Sequence, residues 1–139
     1  MNTKKPSMDN WLKEARQQSE AFENGIYLIH NGVVRKSARA KVRDGQPDTK
    51  QVIGMDFSYD QTKVDMAVRD TLNMQGICHV RVWLNEGRLN VGDDIMFVLI
   101  GGDIRPRVVH ALDYLVGRIK DECVTEIERF REEFHENHA

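Results

Sequence analysis

Residues 95–100, Ile-Met-Phe-Val-Leu-Ile, are the longest unbroken apolar run in the chain, and they limit the possible folds more than any other stretch. The run has the length of a strand and falls far short of a membrane span. A strand apolar on both faces belongs in the interior of a sheet, with cover on either side. The chain has 139 residues, 40% of them hydrophobic, enough for one domain around one core. We expect that domain over residues 8–134, with a polar, mobile tail at 1–7 and a second polar tail at 135–139.

The rest of the pattern supplies the cover. From Asp9, Trp11, Ala15 and Phe22 fall on one helical stripe that Asn24-Gly25 should stop. Residues 26–34 read as a strand, and residues 35–50, with Gly45 and Pro47, as a partly disordered loop. Ile53, Met55, Phe57 and Tyr59 alternate as in a half-buried strand. Asp60 can cap a helix whose stripe is Val64, Val68 and Leu72, with Ala67 and Thr71 beside them, ending at Gln75-Gly76. Cys78, Val80, Val82 and Leu84 then alternate along a further strand, followed by a turn at Glu86-Gly87 and a short connection at residues 91–94. Gly101-Gly102 breaks the apolar strand, and Pro106 suits the first turn of a last helix. Its stripe of Val108, Ala111, Leu112, Leu115, Val116, Ile119 and Cys123 continues through Ile127, Phe130 and Phe134, which predicts an unbroken helix to Phe134. The order is helix, two strands, helix, two strands, helix. It implies an α+β fold with helices packed on a mixed or antiparallel sheet.

Composition excludes several functions. A formal net charge of −2 gives no general attraction to nucleic acid or anionic membrane. The N-terminal segment has basic residues but no apolar stretch after them, so no secretory signal is expected. Cys78 and Cys123 are isolated thiols, which points to a reducing cytoplasm and to neither a zinc site nor a disulfide framework. The chain has no Walker loop, no GxGxxG, no HExxH and no GxSxG. His135 and His138 in the charged tail are two ligands at most, and two do not close a metal site.

Three local features bear charge that can do chemistry. Gly32-Val33-Val34-Arg35 ends a strand in an arginine, and Lys36, Arg39, Lys41 and Arg43 follow in one loop. Guanidinium groups bind oxyanions in bidentate fashion, so the loop either holds a phosphate or carboxylate or is simply solvated. Residues 101–107 run from a buried strand into a helix start flanked by Arg105 and Arg107. That is an anion site or an ordinary strand-to-helix turn. Lys120 lies at the edge of the last helix's apolar stripe, where a lysine either snorkels to water or, if desolvated, acts as base or nucleophile.

Together these pieces resemble the MoaE family, the large catalytic subunit of molybdopterin synthase. The match is clearest over Glu86-Gly87-Arg88-Leu89-Asn90-Val91-Gly92-Asp93-Asp94-Ile95-Met96-Phe97-Val98, similar to the family's G-x-L turn, x-x-G-[DE] connection and apolar strand. Gly32-Val33-Val34-Arg35 is similar to its G-x-V-R segment, and the resemblance spans roughly residues 24–128. It implies the MoaE-like (α/β hammerhead) fold. It also implies an activity: sulfur passes from a thiocarboxylate on a small ubiquitin-like, MoaD-type subunit ending in Gly-Gly to cyclic pyranopterin monophosphate, giving molybdopterin. No permanently bound cofactor or metal is implied. The assembly implied is a homodimer carrying two small subunits, a heterotetramer.

By position, the resemblance makes Lys120 the first catalytic lysine and places Arg35 and Arg39 in an anion pocket. Arg105 becomes the arginine of a His-Arg pair that reaches the neighbouring subunit's site, and Glu128 the acid closing the P-x-W-K-x-E stretch. Departures are equally plain. Ile104 stands at the histidine of that pair, Val124 at the proline, Glu126 at the tryptophan and Ile127 at the second lysine, leaving Arg129 or Lys36 to supply the missing cation. Loss of the proline also removes the residue that would end the last helix. Three readings follow: an active synthase subunit, a degenerate binding module that keeps the dimer and the small-subunit groove, and an unrelated binder of small anions.

Overall fold

Strand β5 (Asp94–Gly102) is buried along almost its whole length and sits between β1 (Ile26–Val33) and β3 (Ile77–Leu84), antiparallel to both. The computed structural model that shows this describes residues 4–37 and 51–131. The two faces of β5 enter two separate clusters. Met96, Val98 and Ile100 face helices α2 (Gln61–Leu72) and α3 (Arg105–Arg118), while Phe97 and Leu99 face α1 (Met8–Ala15). The helical cover expected for a doubly apolar strand is therefore present on both sides.

The main core rests on α3, whose Val108, Ala111 and Leu115 are fully buried, as is Ile119 beyond it. Each large side chain buried in this way stabilises the fold by about 1.5–3 kcal/mol. Helix α2 buries Val64, Ala67 and Thr71, with Val68 packed beside them, and leaves only Leu72 of the expected stripe exposed. The buried Thr71 hydroxyl donates to the Ala67 carbonyl at 2.8 Å. Asp60 caps α2, its carboxylate accepting from the Lys63 amide at 3.2 Å. On the other face, Trp11 meets Phe97 edge-on at 6.3 Å and Trp83 lies 5.0 Å from the same ring.

A second antiparallel sheet, ordered β4-β2-β6, comprises β4 (Gly87–Asn90), β2 (Val52–Tyr59) and β6 (Val124–Phe130). Its inner face adds Met55, Phe57 and Leu89 to the main core. Among the described residues every strand pairing is antiparallel, within the α+β class expected.

Three expectations change. The last helix does not run to Phe134. It ends at Arg118, passes through a π-helical turn (Ile119–Cys123) and becomes β6. β-branched Val124, Thr125 and Ile127 suit a strand, and the open edge of β2 offers backbone partners that a helix would forgo. Ile127 and Phe130, assigned to the helix's apolar stripe, are 57% and 41% exposed. Second, α1 stops at Ala15, because the polar residues after it give no further anchor, and Phe22 stands fully exposed on a short 3₁₀ turn. Third, a register shift between Val52 and Gly54 turns Ile53 outward and Val52 inward. Residues 4–7, within the expected tail, are largely exposed and make a few contacts with the domain. Lys5 Nζ is 2.6 Å from Asp94 and 5.9 Å from the Phe97 ring centre, and Ser7 caps α1. The expected domain end at 134 and the tail at 135–139 lie outside the described residues.

Candidate functional site

The π-helical turn fixes the position of Lys120. Ile119 and Cys123 are both buried, and the Asp60 amide donates to the Cys123 carbonyl at 2.8 Å. Lys120 is thereby set beside the core at the point where helix becomes strand. Wide turns of this kind recur at functional sites. At the helix's end Arg118 donates to Asp70 at 2.7 Å and to the Tyr114 hydroxyl at 2.8 Å, which holds α3 to α2.

Lys120 opens into a cleft of about 230 Å³ where the two sheets meet. Strand β1 contributes His30, Gly32 and Val33, followed by Val34 and Arg35. Met55 comes from β2, Ile95 and Met96 from β5, and Glu126 and Glu128 from β6. Alternation explains the selection. Residues two apart on a strand share a face, so His30 and Gly32 face the cleft together, as do Glu126 and Glu128. Val34 anchors the end of β1, its amide donating to Asp93 and its carbonyl accepting from Gly92.

The charges in the cleft are close-set. Lys120 Nζ lies 3.4 Å from Glu126 Oε2, and the two side chains are 31% and 8% exposed. Burial lowers the His30 pKa below its ordinary 6.5, and the nearby Lys120 ammonium lowers it further, so His30 is neutral at pH 7. The cleft thus offers the partly enclosed Lys120 ammonium and the exposed Arg35 guanidinium, two carboxylates and one neutral imidazole able to accept a proton. Among the described residues no group of three or more His, Cys, Asp or Glu is placed to hold a metal ion. No helix among them is long and apolar enough to cross a membrane.

Arg35, Lys120 and Glu128, distant in sequence, therefore share one cleft. Other residues singled out above do not join them. Arg129 lies on the opposite face of β6, where it donates to the Leu89 carbonyl at 2.5 Å and pairs with Asp56 at 3.3 Å, tying the three strands of the sheet together. Ile127 shares that outer face. Lys36 is exposed beyond β1, its carbonyl accepting from the Val52 amide. Arg105 is exposed at the start of α3, about 20 Å along the helix axis from Lys120. There Asp103 accepts from the Ile104 amide and pairs with Arg107, each at 2.6 Å, so a carboxylate of the chain already meets that helix start. Arg39 lies outside the described residues.

Sequence reasoning missed two cleft residues, His30 and Glu126. The signal for His30 was its place two residues before Gly32 on a strand that was recognised. Glu126 carried no comparable signal while its segment was read as helix.

Comparison with known proteins bears on this arrangement. The family model described as MoaE protein matches residues 2–122. No curated protein matches the chain. Among solved structures, molybdopterin synthase from Staphylococcus aureus is similar with a TM-score of 0.69 and 13% identity, over 93% of this chain and 89% of that one. The molybdopterin biosynthesis MoaE protein from Burkholderia ambifaria MC40-6 gives 0.68 and 16%, over 92% and 84%. A complex of subunits 1 and 2 of molybdopterin-converting factor from Helicobacter pylori 26695 gives 0.63 and 12%, over 92% and 82%. At these identities the likeness to solved structures is one of fold.

Proposed function

Because this chain belongs to the MoaE family, we propose that it acts in molybdenum cofactor biosynthesis as the large subunit of a molybdopterin synthase. In this reading, thiocarboxylate sulfur from a small Gly-Gly-ending subunit is transferred to cyclic pyranopterin monophosphate. The observation that carries it is the convergence of Arg35 and Lys120 on one cleft. Both reactants are anionic, and cations that converge on one site stabilise such charge. Arg35 suits a phosphate oxygen pair through its planar fork, Lys120 suits the thiocarboxylate, and neutral His30 can take up a proton. The complex of subunits 1 and 2 among the similar structures supports a small-subunit partner. Arg105 is too far away to serve its own chain's cleft, which suits a role across a homodimer.

One observation favours a second reading, a binding module without turnover. Glu126 and Glu128 put two carboxylates where anionic reactants must sit. The deciding experiment mixes purified protein with a thiocarboxylated small subunit and the pyranopterin precursor, beside a Lys120→Ala variant. We expect dithiolene from the wild type and a loss of at least a hundredfold in the variant. Small-subunit binding with no dithiolene from either protein would replace the enzyme reading with the second one.

A further inference from the structure

Within the described residues, the formal charges around the cleft cancel: Arg35 and Lys120 against Glu126 and Glu128, with His30 uncharged. The acids are integral to the site. Glu126 is 8% exposed with Oε2 3.4 Å from Lys120 Nζ, and Glu128 follows on the same face of β6. A carboxylate enclosed to that degree is poorly screened by salt. Its repulsion of a ligand grows in proportion to ligand charge, so a second negative charge doubles the penalty.

We propose that Glu126 is a specificity-determining residue, which biases the cleft toward ligands carrying one negative charge and against those carrying two. The ligand classes follow from chemistry. A phosphodiester, cyclic phosphates included, and a carboxylate or thiocarboxylate each carry one charge. A phosphate monoester carries close to two at neutral pH. The inference rests on the reading above to this extent: a site so biased accepts a cyclic phosphodiester and a thiocarboxylate, and disfavours any product left as a phosphate monoester. Glu126 does this without touching the reacting atoms, by sharing Lys120 with the ligand.

The test uses two probes that differ by one ester methyl, phenyl phosphate and methyl phenyl phosphate, titrated calorimetrically against the full chain at about pH 8. There the monoester is a dianion and His30 remains neutral. For a unit charge roughly 6 Å from the ligand, even a water-like dielectric makes Glu126→Gln tighten monoester binding about tenfold and diester binding about threefold. The ratio of the two affinities therefore shifts about threefold toward the monoester. Glu128→Gln shifts it in the same direction, and supplies the answer if Glu126→Gln does not fold. Lys120→Met weakens both probes. An unchanged ratio in the glutamine variants overturns the proposal, and so does a Lys120→Met protein that binds both probes as wild type does. Sulfur transfer is scored separately. A shifted ratio with no dithiolene leaves this inference standing and removes the synthase reading, whereas dithiolene with an unchanged ratio does the reverse.

Discussion

Replacing Gly54 with alanine should cost this protein far more than a methyl group ordinarily does. Gly54 pairs directly with Arg129 on β6 and with Asn90 on β4. A Cβ there would lie inside van der Waals contact of the Leu89 carbonyl oxygen and of the Arg129 guanidinium, which itself donates to that oxygen. The guanidinium can swing aside, but the hydrogen bond is then lost, worth about 1.5–3 kcal/mol for a charged donor. The carbonyl is backbone and can move only with β4, an overpacking cost of about 1–3 kcal/mol. A loss of about 3 kcal/mol results. In a chain of this size that lowers Tm by roughly 10 °C, since each kcal/mol is worth about 3–4 °C. Thermal unfolding followed by circular dichroism reads it directly, and the same substitution in an Arg129→Ala background should cost only the backbone term of about 1–3 kcal/mol, without the hydrogen-bond loss. A drop under about 3 °C in the single variant would show that the three strands are not held by this contact, and the reasoning would fall.

Further outcomes follow from the same geometry. Leu115→Ala, in the fully buried stripe of α3, should lose about 2–5 kcal/mol in urea unfolding, and a smaller loss would mean that the helix does not seat the core as described. Val124→Pro, which restores the residue expected from the family pattern, should destabilise by about 3 kcal/mol, because Val124 has φ −126° and proline requires about −65°. A variant as stable as wild type by the same assay would contradict the strand assignment at that point. His30 and His79 are both held below the ordinary histidine pKa of 6.5, chiefly by burial. Above that pH these two imidazoles are mainly neutral in the folded and unfolded chain alike; below it the unfolded chain binds protons that the folded chain resists, so stability falls with acidification. His30→Phe should flatten part of that fall between about pH 7 and 5, and an unaltered slope of urea midpoint against pH would exclude His30 as a contributor.

How much of this was legible in the sequence depended on whether one period governed a segment. The run at 95–100 announced a central strand, and the spacing of Val108, Ala111, Leu115 and Ile119 announced the helix beneath it, since burial enforces both patterns. Arg35 and Lys120 were readable as charged residues at the ends of apolar elements. Their meeting in a cleft was not, because it depends on how two sheets pack. β6 failed for a definable reason. Ile127, Phe130 and Phe134 fit a helical stripe by spacing, yet the alternation of Val124, Glu126 and Glu128 fits a strand equally well, and only the vacant edge of β2 decides. Ile53 failed likewise, since a bulge reverses alternation and no residue type at 52–54 declares it.

The π-helical turn before β6 also sets a reading frame. It spends one residue more per turn than an α-helix does, and the strand that follows inherits the offset. Because strand faces alternate, a one-codon deletion within residues 119–123 would bring the odd-numbered side chains inward. Ile127 and Arg129 would then face Lys120 where Glu126 and Glu128 now do, and the charges of the described cleft residues would pass from balanced to net positive. A relative with a different turn at this place would align with the chain residue for residue and still present the opposite wall to its ligand.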